Sequence, residues 1–260
     1  MILLEPARTQ WDLRWSMLGI PVRVHPLFWL MALLLVYSQE RPFSSVLTLS
    51  GCIFVSILVH EFGHALAHRH YGDDEPYVVL YHFGGLCVGG PQSPRRWPRI
   101  SILLWGPLAG FILGGIAKAV QWSIESGYIQ ESSKSIDEIL RSLIWVNLIW
   151  GLVNLIPVFP LDGGQIMREV ILWKAPRRGD PFVFKLSGYT AVFMAALALA
   201  YYIFYDRRHN PHADIFPIIF FAVLAYSSFD LRRQLGQYGG LDDYELPQEP
   251  WERDADWWKK

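Results

Sequence analysis

Long apolar runs separated by short polar stretches make up most of this chain. They cover residues 19–37, 45–67, 100–120, 139–160, 182–205 and 214–229. A helix needs about 20 mostly apolar residues to cross a bilayer, and the second to fifth runs reach that length. The first run contains Pro21, Arg23 and Pro26, and the last run is short. The pattern predicts an all-α polytopic membrane protein with about six transmembrane helices.

The basic residues predict how such a bundle is oriented. Threading six spans from a cytoplasmic N-terminus places 17 of the 23 Lys and Arg residues on the cytoplasmic side, as the positive-inside rule favours. We therefore expect both termini in the cytoplasm. The chain would divide into an N-terminal cytoplasmic segment, 1–18, a transmembrane core, 19–229, and a C-terminal cytoplasmic tail, 230–260.

Charge and cysteine content argue against two kinds of protein. The formal net charge of −1 gives no indication of nucleic-acid binding, so we expect no nucleic-acid partner. Cys52 and Cys87 do not form a C-x-x-C pair, and two cysteines are too few for a disulfide framework. The informative residues are the ionisable ones inside apolar runs, because such groups are costly there unless they serve a function.

One such group lies in the stretch ILVHEFGHALAHRHYG, residues 57–72. On an α-helix, His60 and His64 are four residues apart and share a face, so both imidazoles can reach one zinc ion. Glu61 lies beside them, in the position of a base that takes a proton from water. A catalytic zinc site needs three protein ligands and one open position. The stretch therefore predicts two ligands and a base.

Three residues are candidates for the third ligand. His68 lies about 12 Å from His60 along a continuous helix, at ~1.5 Å per residue, which is too far for one zinc ion to bridge. His70 would require the chain to turn back, but Ala67 favours continuation of the helix. Asp162, in NLIPVFPLDGGQ, follows the fourth run, which would bring it to the membrane face of the HEFGH segment. Its alternative role is that of a turn or helix-capping residue.

Two motifs together, HEFGH in one run and NLIPVFPLDGG in another, resemble the site-2 proteases, which are zinc intramembrane proteases. The segments GIPVRVHPLFWL, FGGLCVGG and GPLAG occur in the order found in that family. The chain is most similar to the compact six-span branch that processes sporulation factors, over residues 19–229. One departure is Gly110, where many relatives carry Asn. With Gly106 and Gly114, this glycine indicates close helix packing in the third run.

The resemblance implies one catalytic zinc ion bound by His60, His64 and Asp162, with Glu61 activating water. It also implies that Asn154 lines the site and polarises the scissile carbonyl. The expected activity is hydrolysis of peptide bonds within or near transmembrane segments of membrane-anchored substrates. The expected location is a bacterial cell membrane.

A glycine-rich stretch, YHFGGLCVGGPQSP, covers residues 81–94 and follows a β-leaning YVVLY. We expect a short β-hairpin or a re-entrant loop after the second span. Gly84 and Gly85 permit close backbone approach. They are candidate substrate-binding residues if an extended substrate adds to the edge of a sheet. The alternative is a glycine-rich structural loop.

The expected partners are a transmembrane protein substrate and the lipid bilayer, with a regulatory membrane protein or a second copy of the chain as further candidates. Two other functions could use the same ligands. A non-proteolytic zinc-bound scaffold would have no use for Glu61. A transporter with an ion site at this cluster would carry an inverted repeat, and none is evident in the sequence.

Overall fold

The computed structural model describes residues 6–36, 42–73, 75–82, 84–89, 96–129, 133–175, 179–206 and 215–237. Within these residues the chain is mostly helical and has one four-stranded sheet. It divides into two compact units, Glu5–Asn154 and Leu155–Lys260 with Met1–Leu4, and each is described by itself. Arg95 and the greater part of the predicted tail, residues 238–260, lie outside the described residues.

The first unit contains all four strands and four helices. They are β1 (Leu13–Met17), β2 (Ile20–Val24), α1 (Pro26–Val36), α2 (Phe43–His70), β3 (Tyr77–Tyr81), β4 (Gly84–Val88), α3 (Arg96–Glu125) and α4 (Lys134–Asn154). The strands lie side by side in chain order. The β1–β2 and β3–β4 pairs are antiparallel, whereas β2 and β3 are parallel. Helices α2, α3 and α4 pack against one another.

The sheet packs on the part of α2 that carries the HEFGH motif. Val22 and Val24 of β2 and Leu80 of β3 are fully buried, and they share one apolar core with Phe62 and Ala65 of α2. Burial of a large apolar side chain contributes about 1.5–3 kcal/mol to stability. The core therefore fixes the sheet against the face of α2 next to the predicted metal ligands.

The sheet is larger than the sequence pattern indicates. The β3–β4 pair follows α2, in the region where a hairpin or re-entrant loop is predicted, but β1 and β2 fall in residues assigned to the N-terminal segment and the first span. A fully buried Arg23 on β2 pairs with Asp12 at 3.3 Å. Burial raises the pKa of Asp12, but hydrogen bonds from Thr9 and the charge of Arg23 outweigh burial and lower it. This ion pair offsets the cost of a buried charge in the strand.

Three helices in the described part of the chain are long and apolar enough to cross a membrane, judged by length and composition. They lie at Phe43–His70, Arg96–Glu125 and Gly179–Tyr205. The first predicted span is instead strand β2 followed by α1, which has 11 residues. Helix α4 begins with a charged segment that includes Asp137. The six-span topology therefore stays a prediction.

The second unit contains three helices, α5 (Asp162–Lys174), α6 (Gly179–Tyr201) and α7 (Phe216–Gln237), and α6 continues as a π-helical segment, Tyr202–Asp206. Helices α6 and α7 pack closely, because a Cβ on Gly188 would lie 2.7 Å from the ring of Phe229. A two-pronged ion pair joins α5 to α6, with Arg168 donating to Asp180 at 2.7 and 3.0 Å. These hydrogen bonds raise the pKa of Arg168.

Candidate metal centre

The ionisable side chains of the HEFGH motif lie on α2 and are buried. His60, Glu61 and His64 are 3%, 5% and 6% exposed. Helix α2 is continuous over Phe43–His70, so the two histidines share a face and His68 stays two turns from His60. The chain does not turn back after Ala67, in agreement with its helix-forming preference.

The two histidines have the spacing of a metal-binding pair. Their Nε2 atoms lie 3.2 Å apart, and their ring planes meet at 82°. Two imidazole nitrogens bound to one tetrahedral zinc ion, with bonds of ~2.0–2.1 Å, are separated by about 3.3 Å. The side chains of His60 and His64 therefore fit two positions of a zinc site.

A backbone carbonyl on α3 fixes the ring of His64. Nδ1 of His64 donates to the carbonyl oxygen of Ile102 at 2.8 Å. Since a carbonyl can only accept, the proton lies on Nδ1, and Nε2 is the ring atom that would bind a metal. Metal-binding histidines commonly donate their other N–H in this way. The sequence does not indicate Ile102 as part of the site, because a backbone acceptor can belong to any residue type.

Two glycines let α3 approach this face of α2. A Cβ on Gly63 would overlap the carbonyl oxygen of Trp105, and a Cβ on Gly106 would overlap Nε2 and Cε1 of His64. Small residues at helix contacts permit such close backbone approach. The sequence pattern indicates only helix packing at Gly106. The structure places this glycine directly against a candidate zinc ligand.

Replacing Gly106 with alanine is expected to weaken zinc binding. The added methyl group would overlap the His64 ring, which its bond to Ile102 keeps from moving aside. We expect an affinity loss of about 10- to 100-fold, typical of changes beside metal ligands, measured by chelator competition on the purified protein. Gly115→Ala on the same helix is the control, because a Cβ there meets nothing within 4 Å. Equal zinc affinities of the two variants would contradict this account of Gly106.

Asp162 is the first residue of α5 and is 7% exposed. The N-cap of the helix is Leu161, so Asp162 does not occupy the capping position that the sequence leaves open as its alternative role. A Cβ on Gly163 or on Gly164 would overlap the backbone of residues 155–159. The two glycines therefore let the preceding loop fold tightly against the start of α5.

His60, His64 and Asp162 form a group that could hold a metal ion. One ligand atom from each lies within 4.8 Å of the others, and all three residues are buried. Two imidazoles and a carboxylate are an established donor set for catalytic zinc, with a fourth position open. No other group of three or more His, Cys, Asp and Glu side chains with such spacing occurs in the described residues. The donor chemistry of this group fits zinc.

Glu61 lies against strand β4. A Cβ on Gly85 would overlap Cγ of Glu61 and lie 2.6 Å from Oε1, whereas a Cβ on Gly84 would meet the ring of Trp150 at an ordinary 3.4 Å. Glycine at position 85 therefore lets the strand backbone contact the carboxylate side chain. Gly84 and Gly85 are both candidate substrate-binding residues from the sequence. In the structure, Gly85 lies against Glu61, whereas Gly84 lies against Trp150.

Asn154 is the last residue of α4 and is 7% exposed. Its Nδ2 donates to the carbonyl oxygen of Trp150, one helical turn earlier, at 3.0 Å. A side-chain amide has two N–H donors, so Nδ2 of Asn154 can donate a second hydrogen bond in addition to the one to Trp150. The role of Asn154 toward a scissile carbonyl stays a prediction.

The other histidines considered from the sequence have local contacts. From the sequence, His25 is a candidate for approaching zinc, for gating substrate entry or for an interfacial position. In the structure, its Nδ1 accepts the N–H of Leu27 at 3.2 Å, at the start of α1. Burial lowers the pKa of His25. Nδ1 of His68 lies 3.1 Å from Asp73, and His70 is the last residue of α2. None of the three belongs to the group of candidate metal ligands.

Comparison with known proteins gives consistent matches. The model of peptidase family M50 matches residues 123–199. A zinc metalloprotease of Methanocaldococcus jannaschii is 30% identical over 162 residues, which cover 60% of this chain and 44% of that protein. Stage IV sporulation protein FB of Bacillus subtilis is 26% identical over 155 residues, 59% of this chain and 49% of that protein. The chain spans less than half the length of the curated relatives that it matches.

A solved structure extends the likeness to most of the chain. The site-2 protease from Methanocaldococcus jannaschii matches with a TM-score of 0.54 and 26% sequence identity. The match covers 91% of this chain and 99% of that chain. The similarity therefore includes both compact units.

The apolar helices, the His-His-Asp group and the matched relatives support a class, the zinc metalloproteases of membranes. Within that class, the family-model match, the curated relatives and the solved structure support the site-2 protease family, which this chain resembles in sequence. The apolar helices and the matches together indicate a multi-pass membrane protein, and the His-His-Asp group is consistent with zinc as its cofactor.

Proposed function

We propose that this protein is a zinc-dependent intramembrane endopeptidase that hydrolyses peptide bonds within or near transmembrane segments of membrane-anchored substrates. The observation that carries the proposal is the buried group of His60, His64 and Asp162, with Glu61 buried on the same helix as the two histidines. A buried carboxylate next to a metal-binding pair is costly. Its presence favours an enzyme that needs a base over a scaffold or an ion carrier.

The proposed ligands of the single zinc ion are His60, His64 and Asp162. When bound, zinc would polarise water and the scissile carbonyl as a Lewis acid. The protein prepares this site through the 3.2 Å spacing of the two Nε2 atoms and the bond from His64 to Ile102. Because these features are set by helix packing, the two histidines would need little rearrangement to bind a metal ion.

Glu61 is the proposed general base. Its carboxylate would accept a proton from the attacking water and later donate that proton to the leaving amine. The contact with Gly85 confines the side chain of Glu61, which limits the geometries that the carboxylate can adopt. The second N–H of Asn154 would stabilise negative charge on the oxygen of the attacked carbonyl.

Strand β4 is the proposed binding edge for the substrate. In a helical substrate the peptide groups are shielded by their hydrogen bonds, so the segment must become extended before attack. Strand β4 is the last strand of the sheet, and an extended segment could add to its edge alongside Gly84 and Gly85. A Gly85→Val variant would displace Glu61 as well as block the strand, so loss of cleavage in that variant would not separate the two effects.

The proposed site lies within the membrane-spanning part of α2. From His60 to the end of the helix at His70 is about 15 Å, so water would reach the zinc from that end through a polar path. Both termini on the cytoplasmic side, with cleavage near that face, remain part of the proposal and are supported by the distribution of basic residues. The lipid bilayer is the expected surrounding, and a regulatory protein or a second copy of the chain is a candidate partner.

The direct test is cleavage of single-pass transmembrane substrates by the purified protein in lipid vesicles. We expect defined peptide products, loss of cleavage when zinc is chelated, and recovery when zinc is restored. Cleavage that persists without zinc would contradict the mechanism. Zinc transport across the vesicle membrane without peptide products would instead favour a transporter, and zinc binding without either activity would favour a scaffold.

A further inference from the structure

A buried pair of serines holds the loop that precedes Asp162. The backbone N–H of Phe159, three residues before Asp162, donates to Oγ of Ser187 at 2.7 Å. Oγ of Ser187 lies 2.8 Å from Oγ of Ser228, and both serines are 0% exposed. Since Ser187 is on α6 and Ser228 on α7, the hydroxyls connect the loop to both helices.

The bond from Phe159 to Ser187 is difficult to replace. The next residue, Pro160, has no N–H, so Phe159 supplies the backbone donor at this point of the loop. A partly buried N–H that loses its acceptor is destabilising, because water does not fully replace the lost bond. With alanine at position 187, Phe159 and Ser228 would both lose the hydroxyl between them. The loop would then shift unless another acceptor took its place.

Other contacts fold the loop onto itself and onto α5. The N–H of Leu161 donates to the carbonyl of Val158 at 2.9 Å, and Nε2 of Gln165 donates to the carbonyl of Pro160 at 3.0 Å. These bonds stay within residues 158–165. The bond to Ser187, by contrast, joins the loop backbone to a separate helix. It holds the loop on α6, whereas the Arg168–Asp180 ion pair holds the later part of α5 there.

We propose that Ser187 and Ser228 are positioning residues for the metal site, holding the loop in the place that lets Asp162 bind zinc. This proposal rests on the proposed function, in which Asp162 is a ligand. His60 and His64 lie on α2, which these serines do not contact through any hydrogen bond described above. Removing the serine pair should therefore impair one ligand of three and leave the histidine pair intact.

The test compares the zinc affinities of Ser187→Ala, Ser228→Ala and Thr190→Ala in the full chain, by chelator competition. Ser187→Ala is expected to bind zinc at least about 10-fold more weakly, the lower end of the usual effect of residues that orient metal ligands. Ser228→Ala should have a smaller effect, because Ser187 still accepts the Phe159 N–H. Thr190→Ala is the control on the same helix, since its exposed hydroxyl bonds the carbonyl of Leu186 one turn earlier.

Two further measurements separate positioning from general stability. The visible absorption of the cobalt-loaded protein reports the ligand set, and it should change in Ser187→Ala but not in Thr190→Ala. The unfolding temperature of the metal-free protein reports packing alone. A lower unfolding temperature with unchanged zinc affinity would overturn the proposal, as would an affinity equal to that of the Thr190→Ala control.

An Asp162→Ala variant distinguishes failure of this proposal from failure of the proposed function. Zinc affinity retained in Asp162→Ala would overturn the assignment of Asp162 as a ligand and the serine proposal with it. Zinc affinity lost in Asp162→Ala but retained in Ser187→Ala would overturn the serine proposal alone. If Ser187→Ala does not fold, Ser228→Ala decides the matter, because its zinc affinity must fall below that of Thr190→Ala.

Discussion

Cleavage by a Glu61→Gln variant is expected to fall by about 10²- to 10⁴-fold, the usual contribution of a general base, while zinc binding is retained. Glutamine has nearly the same shape as glutamate, so it can occupy the buried space beside Gly85. Its amide cannot take a proton from water. The measurements are the rate of cleavage of a transmembrane substrate and the zinc content of the purified variant.

Glu125→Gln is a suitable control for this comparison, because Glu125 is an exposed residue at the end of α3. It should cleave at the rate of the unchanged protein. A Glu61→Gln protein that cleaves at that same rate would contradict the role of Glu61 as base. A variant that loses zinc together with activity would instead indicate that Glu61 supports the metal site.

Zinc affinity is expected to fall by at least about 100-fold in Asp162→Ala. Apparent binding free energies of about 10–16 kcal/mol are shared among four ligands in structural zinc sites, so one ligand accounts for roughly 3 kcal/mol. The measurement is chelator competition on the metal-loaded protein. Cleavage should be lost in parallel, because the site would keep only the two histidines.

His68→Ala and His70→Ala test the two rival candidates for the third zinc ligand. Both histidines are candidates from the sequence, but neither belongs to the ligand group in the structure. Each variant should bind zinc as tightly as the unchanged protein. Strong loss of zinc in either, with retention in Asp162→Ala, would reverse the assignment.

The local part of the site could be predicted from the sequence because helix geometry alone determines it. Residues four apart share a helix face, so His60 and His64 come together wherever α2 forms, and Ala67 carries the helix past the motif. The three longest apolar helices, α2, α3 and α6, also match predicted spans. The order of the spans made Asp162 a candidate partner of these histidines, and the family resemblance implied it as the third ligand, since no local rule links residues a hundred positions apart.

The remaining features depend on tertiary packing and leave weaker traces in the sequence. The contact of Gly106 with His64 depends on how α3 lies on α2, and glycine in an apolar helix indicates only that something approaches closely. Strand β2 could not be distinguished from a helical span in the sequence, because its apolar residues are followed directly by those of α1. Arg23 and Pro21 were the signals against a span there. Arg23 fits a buried strand because Asp12, the residue before β1, is its ion-pair partner.

The parallel pairing of β2 with β3 has a consequence for biosynthesis. Residues 25–76 lie between the two strands, so β1 and β2 can form a hairpin early, whereas β3 can join only after α1 and α2 have been made. Strand β4, which carries Gly85 against Glu61, enters the sheet through β3. Synthesis therefore completes α2, with His60 and His64, before β4, which lies against Glu61. The nascent protein acquires its proposed substrate-binding strand after its first two proposed metal ligands.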